Sequence, residues 1–448
     1  MKKVALSIAG SDPSGGAGIQ TDIKTFSFLG VHGTSVVTCI TSQNTQRVKN
    51  IHKLPVEIIE NQIDTLLEDF KIDAVKTGML FDNEIIESVA KKISKFKLKP
   101  VVDPVMVSTS GDLLSKNDDF VDSFKEVLLP KALIVTANIP EAIEFTGLNI
   151  KSSEDFEKAC KVISKLGPKY VLIKGGHLKD EKVLDVLYDG KKFYNFSLPR
   201  IKNKKAHGSG CNLSALITGF IALKETPIDA IRKAKFVLWD MINKGYIPGE
   251  GSDVLNHESS IKITPTCKNY NYYEVWFDLK NSIEKLLTIL PQEFVPEVGM
   301  NFAFALKNAK KLKDICAIDG RIIKSKNMLQ TCGNIDFGVS KHVASIVLAA
   351  MSFDLKYRSA LNIKFSENNL KLCKNSGLKI SNFRRKNEPK SVGSTMEWGT
   401  KKAIENINSI PDIIYDTGDI GKEPMIRVLG ENPNDVISKL TKIIKYKI

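Results

Sequence analysis

The sequence predicts an open α/β fold, a mainly parallel sheet with helices on both faces, followed by a second, smaller α/β domain. Three observations lead there. Short apolar runs rich in β-branched residues recur through the first half, amphipathic patterns separate them, and the pattern breaks and restarts beyond residue 255. Strands that read as continuous apolar runs and alternate with helices indicate a parallel sheet covered on both faces.

The elements follow in order. VALSIAG reads as the first strand and QTDIKTFSFLG as its helix; TSVVTCITSQ and PVEIIENQIDTLLEDF repeat the unit. DAVKTGM, NEIIESVAKKISKF, PVVDPVM and ALIVTAN continue it, and SEDFEKACKVISKLG, KYVLIKGG and the helix PIDAIRKAKFVLWDMINKG complete it. Ligands of such sheets gather beyond the carboxyl ends of the strands. The unusual residues fall there: Gly10-Ser11-Asp12, Gln43-Asn44, Lys76-Thr77-Gly78-Met79, Asp103-Pro104, Asn138 and Lys174-Gly175-Gly176.

Composition limits the function classes. Seven cysteines, at 39, 160, 211, 267, 316, 332 and 373, form no C-x-x-C pair, so a reducing, cytoplasmic setting with free thiols is expected. MKKVALSIAGSDPSGG begins like a leader but lacks its apolar core and cleavage site. No apolar run approaches the ~18 residues of a membrane span, so no membrane is expected. The net charge of +14 raises nucleic acid as a partner, but the lysines are spread and the densest run, FRRKNEPK, is short. Phosphorylated, anionic small ligands fit that balance better.

The segment KAHGSGCNLSALITGFIALKE places Gly208, Ser209, Gly210 and then Cys211 at the start of an apolar helix. Unpaired N–H groups at a helix N-terminus attract anions, and glycines let the backbone approach a phosphate. The same field is expected to lower the pKa of Cys211 and let it take a proton from a substrate hydroxyl attacking a γ-phosphate. A small residue packed against the sheet is the alternative reading of Cys211.

AGSDPSGGAGIQTDIKTF, TSQNTQ, KTGML, DPVMVSTSGDLL, NIPEA, LIKGGH and HGSGCNLSA stand in this order. Through them residues 1 to about 255 resemble the hydroxymethylpyrimidine/phosphomethylpyrimidine kinases of thiamine biosynthesis, members of the ribokinase superfamily. That family's turn usually reads G-T-G-C-T, and here Ser209 and Asn212 replace the two threonines, a hydroxyl and a polar amide expected to preserve the phosphate cradle. The resemblance implies Cys211 as the base, and Lys174 neutralising the transferred phosphoryl group. It further implies a substrate pocket of Gly10, Asp22, Gln43, Met79 and Val105, with Gln43 able to donate and accept at an aminopyrimidine edge. Asp22 as a helix cap and Met79 as a core side chain remain open readings. Asn138 and the turn Gly208–Gly210 would hold the nucleotide, and Asp103 and Glu141 would organise Mg²⁺ around its phosphates. ATP and Mg²⁺ are thus the implied cofactors, and a homo-oligomer formed through this domain is implied too.

The segment 256–274 reads as a linker, and WFDLKNSIEKLLTIL begins a second domain placed at 275–448. Three of its stretches have the form of anion sites: Gly393-Ser394-Thr395 before a helix, Gly338-Val339-Ser340-Lys341-His342 opening another, and the turn from Asp419 through Lys422 to Arg427. His342 is the only histidine after residue 257; a capping or packed histidine is its alternative reading. VPEVGMN, DGRI, FGVSKHVA, GSTMEWG and YDTGDIGKEPMIRVLG make residues 285 to 445 similar to the ThiN-type thiamine-phosphate synthase domain. The resemblance implies condensation of hydroxymethylpyrimidine diphosphate with hydroxyethylthiazole phosphate and release of pyrophosphate. Arg321 and His342 would stabilise the leaving diphosphate, helped by Ser394, Lys422 and Arg427, while Asn301 would orient a ring. Two rival readings remain: a non-catalytic second domain that senses thiamine phosphate, and a vitamin B6-type kinase in the first.

Overall fold

A computed structural model describes residues 2–106, 119–176, 178, 181–201, 206–258, 270–326, 328–389, 394–419 and 421–446. Residues 107–114 of DPVMVSTSGDLL, His177, Cys267, Gly393 and Ile420, all used in the motifs or cysteine pattern above, lie outside them. The chain divides into two compact units, Met1–Lys262 and Ile263–Ile448.

The first unit is built on a nine-stranded sheet. It runs through β1 (Val4–Ser11), α1 (Gly18–Phe28), β2 (His32–Gln43), β3 (Val48–Lys53), α2 (Val56–Asp69), β4 (Ala74–Thr77), α3 (Asn83–Lys95) and β5 (Pro100–Val102). Next come the short α4 (Phe120–Ser123), β6 (Ile134–Asn138), α5 (Ile139–Thr146), α6 (Ser153–Ser164) and β7 (Tyr170–Lys174). The unit continues with β8 (Lys182–Tyr188), β9 (Phe193–Pro199), β10 (Ala206–His207), α7 (Ser209–Ala222), α8 (Pro227–Asn243) and β11 (Asp253–Val254). The strand order is β3-β2-β1-β4-β5-β6-β7-β8-β9. Pairing is parallel from β2 to β7, as the apolar runs require, and antiparallel at both edges. The edge strands β3, β8 and β9 were not legible in the sequence. VKNIHK is a polar, largely exposed ribbon, and an edge strand needs no continuous apolar run.

The second unit opens with α9 (Tyr270–Ile289), which begins inside the stretch expected to be linker. Its YNYY start lacks a helical period in sequence, yet Tyr272 packs on Phe337 at 4.6 Å and Trp276 donates to the Ile335 carbonyl. Tertiary contacts rather than propensity hold that turn. β12 (Phe302–Ala305), β13 (Ile315–Ile318), the hairpin β14 (Arg321–Ser325) and β15 (Met328–Cys332), β16 (Ile335–Phe337) and α10 (His342–Met351) follow. They are succeeded by β17 (Ser359–Lys364), α11 (Glu367–Asn375), β18 (Ile380–Asn382), α12 (Thr395–Glu405), β19 (Ile413–Asp416), β20 (Met425–Gly430) and α13 (Pro433–Lys445). A seven-stranded sheet, β16-β13-β12-β17-β20-β19-β18, is antiparallel except for β18 with β19.

Candidate active sites

In the first unit a cavity of about 530 Å³ lies beyond the carboxyl ends of the parallel strands. Gly10, Gln43, Met79, Asp103, Val105, Asn138, Glu141, Lys174, Gly208, Ser209, Gly210 and Cys211 all line it. Residues scattered over two hundred positions converge because each sits where a strand ends or a helix begins. Gly208 is the tightest constraint. Its φ is +73°, and a Cβ there would lie 1.9 Å from the Gly16 carbonyl oxygen, so only glycine brings the turn against the loop after β1.

Charge is organised around Lys174. Its Nζ is 3.0 Å from Asp103 and 3.9 Å from Glu141. Burial works against the ammonium, but the two carboxylates outweigh it and hold Lys174 protonated. Asp103 also accepts from Thr136 and Ser214. Glu141 closes a capping box with Asn138 at the start of α5. Burial pushes its carboxyl up to about 7, helped by Asp103 and opposed by Lys174. Among the described residues no cluster of three or more metal-ligating side chains occurs. Two cavity carboxylates do suit Mg²⁺, which keeps waters and takes one or two carboxylates plus substrate phosphates.

Three expectations need correction. Asp22 does not line the cavity. It is fully buried, accepts from Ser7 and pairs with Lys76 at 2.5 Å. Asn212 does not join the phosphate turn either; its amide donates to Thr21 and the Gly208 carbonyl and faces His257 at 2.8 Å. Cys211 sits in the first turn of α7, but its thiol is not depressed: burial pushes it up to about 11, against the opposing charge of Lys76. A helix N-terminus lowers a thiol only where the desolvation cost is smaller than its field.

Two cavity residues received no role from the sequence, although Lys76 was noted at its strand end. His207 lies 3.2 Å from Asp12 and 3.3 Å from the Gln43 amide nitrogen, linking the loop after β1 to the residue at the end of β2. Lys76 is the other. A charge within the buried strand Ala74–Thr77 was the available signal.

In the second unit a buried ion-pair cluster acts electrostatically on His342. Asp416, at the end of β19, accepts from Arg385 Nε at 2.6 Å and Nη2 at 3.2 Å, and pairs with Arg427 at 2.6 Å. Burial pushes against the Asp416 carboxylate, but the two arginines hold its pKa low. His342 opens α10, and among the described residues its buried Nε2 has no hydrogen-bond partner. Burial first, then the charges of Arg427, Arg385 and Arg321, push the imidazole down to about 4. Arg427 Nε is likewise buried and, among the described residues, without a hydrogen-bond partner. An unsatisfied imidazole beside an excess of arginines has the chemistry of an anion site.

The other expected residues have defined places. Arg321 heads β14, exposed, and donates to the Gly320 carbonyl at 2.7 Å. Asn301 is corrected: its buried amide donates to Ile318 and Gly320 and accepts from Ile318 N–H, so it braces the strand leading to Arg321 and has no amide group left for a ring. Ser394 caps α12 by accepting from Glu397 N–H. Lys422 is half-exposed, 3.8 Å from Glu388, and Arg427 is fully buried rather than open in a turn. Sequence reading missed Arg385 because it stands in the basic run FRRKNEPK, where a solvated surface was expected.

Comparison with known proteins places the chain in a family. The phosphomethylpyrimidine kinase family model matches residues 12–256, and the model of thiamine-phosphate synthase ThiN matches residues 278–442. The bifunctional thiamine biosynthesis protein ThiDN of Methanocaldococcus jannaschii is 36% identical over 444 residues, 99% of this chain and 98% of that protein. The hydroxymethylpyrimidine/phosphomethylpyrimidine kinase of Bacillus subtilis is 42% identical over 255 residues, 56% of this chain and 94% of its own length. A solved structure of the pyridoxal kinase from Staphylococcus aureus in complex with AMP-PCP and pyridoxal aligns at TM-score 0.54 and 34% identity. That alignment covers 58% of this chain and 95% of the kinase. With both models matched in order and one relative aligned over nearly its whole length, the chain belongs to the family of bifunctional thiamine biosynthesis proteins that join a hydroxymethylpyrimidine/phosphomethylpyrimidine kinase domain to a thiamine-phosphate synthase domain.

Proposed function

We propose that the first domain phosphorylates 4-amino-5-hydroxymethyl-2-methylpyrimidine twice with ATP, and that the second condenses the diphosphate with hydroxyethylthiazole phosphate, releasing pyrophosphate. The observation that carries the first half is the meeting of Cys211, Lys174, Asp103, Gln43 and the Gly208–Gly210 turn at one cavity. Gln43 reads the pyrimidine edge, with Met79 and Val105 as walls and Gly10 as the close backbone. The N–H groups of Gly208–Gly210 and the side chain of Asn138 hold nucleotide phosphates. Mg²⁺, held by Asp103 and Glu141, would supply neutralisation of the phosphate charge. Lys174 takes the charge of the transferred group, and Cys211 as thiolate receives the substrate hydroxyl proton. In the second half, the His342–Arg427–Arg385 cluster with Arg321 stabilises the departing diphosphate, while Ser394 and Lys422 supply further phosphate donors. A cytoplasmic setting fits the free cysteines, and association through the kinase domain belongs to the same reading.

The vitamin B6 reading is favoured by the pyridoxal kinase alignment alone. A substrate panel decides. Purified protein with MgATP should convert hydroxymethylpyrimidine to the mono- and then the diphosphate, with EDTA abolishing both, and should favour it over pyridoxal in kcat/KM. Preference for pyridoxal would overturn the pyrimidine assignment.

A further inference from the structure

Lys76 is a fully buried cation on β4 that none of these steps employs. Its Nζ lies 2.5 Å from Asp22 Oδ1 on α1 and 3.3 Å from the carbonyl oxygen of Cys211 in α7. Lys76 also lies against the cavity that Cys211 lines. Burying an ion costs several kcal/mol before pairing, and an apolar pair would fill the same volume without that cost. The cation must therefore do something that packing does not.

We infer that Lys76 is a positioning residue for phosphoryl transfer: its buried ammonium, anchored by Asp22, supports the Cys211 thiolate from beneath the cavity. The inference rests on Cys211 as proton acceptor. The thiol first loses its proton to solvent. The thiolate then takes the substrate hydroxyl proton as that oxygen bonds the γ-phosphorus and the bond from phosphorus to the departing diphosphate breaks.

Groups on several elements face the thiol. Burial raises its pKa most, Lys76 lowers it most among the charges, Asp103 and Asp22 raise it, and the Gly18 N–H at the start of α1 donates to it. Lys174 on β7 is coupled to it as well. Lys76 is thus the largest influence favouring the thiolate, and it is held protonated against its own burial by Asp22 first.

Lys76→Met alone would leave Asp22 buried and unpaired and can fail to fold, so the deciding variant is Lys76→Met combined with Asp22→Asn in the full chain. Iodoacetamide alkylation of Cys211 at pH 8.5, read by peptide mass spectrometry, reports its thiolate without turnover. The variant loses the larger lowering influence of Lys76 together with the smaller raising influence of Asp22, so the thiol rises on balance. A rise of up to about one pKa unit cuts the thiolate up to about tenfold, and the more basic sulfur recovers about threefold in nucleophilicity. The expected rate is therefore below wild type, by up to about threefold, with the rising limb of kinase activity displaced to higher pH. Loosened packing alone would expose the thiol and speed its alkylation. An equal or faster rate overturns the inference, whereas wild-type turnover by Cys211→Ala, a separate assay, would overturn the base assignment beneath it.

Discussion

Lowering the pH should weaken the synthase domain through one residue, His342. It is the only histidine after residue 257, so a fragment spanning 263–448 contains no other. Its imidazole is pushed from 6.5 down to about 4 by burial and by three arginines. The unfolded chain therefore binds a proton that the folded domain refuses between those values, and stability is lost as pH falls through that window. At pH 5 the loss worked from the two values is about 2 kcal/mol relative to pH 7.5. Asp278 works the other way: burial and Glu274 raise its carboxyl to about 6, so its share of stability is lost as pH rises through 6. Comparing wild type with His342→Gln cancels Asp278, which both contain. Urea titrations at pH 7.5 and pH 5 should show the variant gaining about 2 kcal/mol on wild type as pH drops. A gap that moves by less than about 0.5 kcal/mol would mean the imidazole is not held neutral by burial and the arginines.

Cys211→Ala should bind MgATP normally and lose about 10²–10⁴ in kcat. Because the thiol is pushed up to about 11, wild-type kcat/KM should climb about tenfold per pH unit from 7 to 9, and a plateau by pH 8 would contradict that. Gln43→Ala should weaken pyrimidine binding by about 0.5–1.5 kcal/mol and leave ATP affinity unchanged; equal losses in separate titrations would indicate pocket collapse. In the synthase domain, Arg321→Ala should depress thiamine phosphate formation without moving Tm, since the side chain is exposed. Asp416→Asn should instead destabilise by about 3–5 kcal/mol, because Arg385 and Arg427 lose their shared carboxylate. Equal Tm values for these two variants would refute the distinction.

The parallel strands and the strand-end residues were legible because burial on both faces writes itself as apolar runs, and punctuation at their ends marks the cavity. Side-chain direction was not. Asp22 and Asn212 stand inside site motifs but point into buried polar networks, and nothing in residue type or spacing tells a helix face toward the cavity from one toward the core. The Cys211 thiol was misjudged for a related reason: the helix field is local and readable, whereas desolvation depends on everything packed around the sulfur. In the second domain, the Asp416 cluster draws on β19, β20 and the chain after β18, a convergence set by sheet order rather than by local sequence.

The central claim is that one chain carries both reactions, and one incubation tests it. Purified full-length protein is given hydroxymethylpyrimidine, hydroxyethylthiazole phosphate and MgATP, and products are followed by chromatography. The account predicts transient pyrimidine mono- and diphosphate followed by thiamine phosphate and pyrophosphate. Diphosphate that accumulates beside unused thiazole phosphate, with the folded second domain binding thiamine phosphate but never forming it, would contradict it.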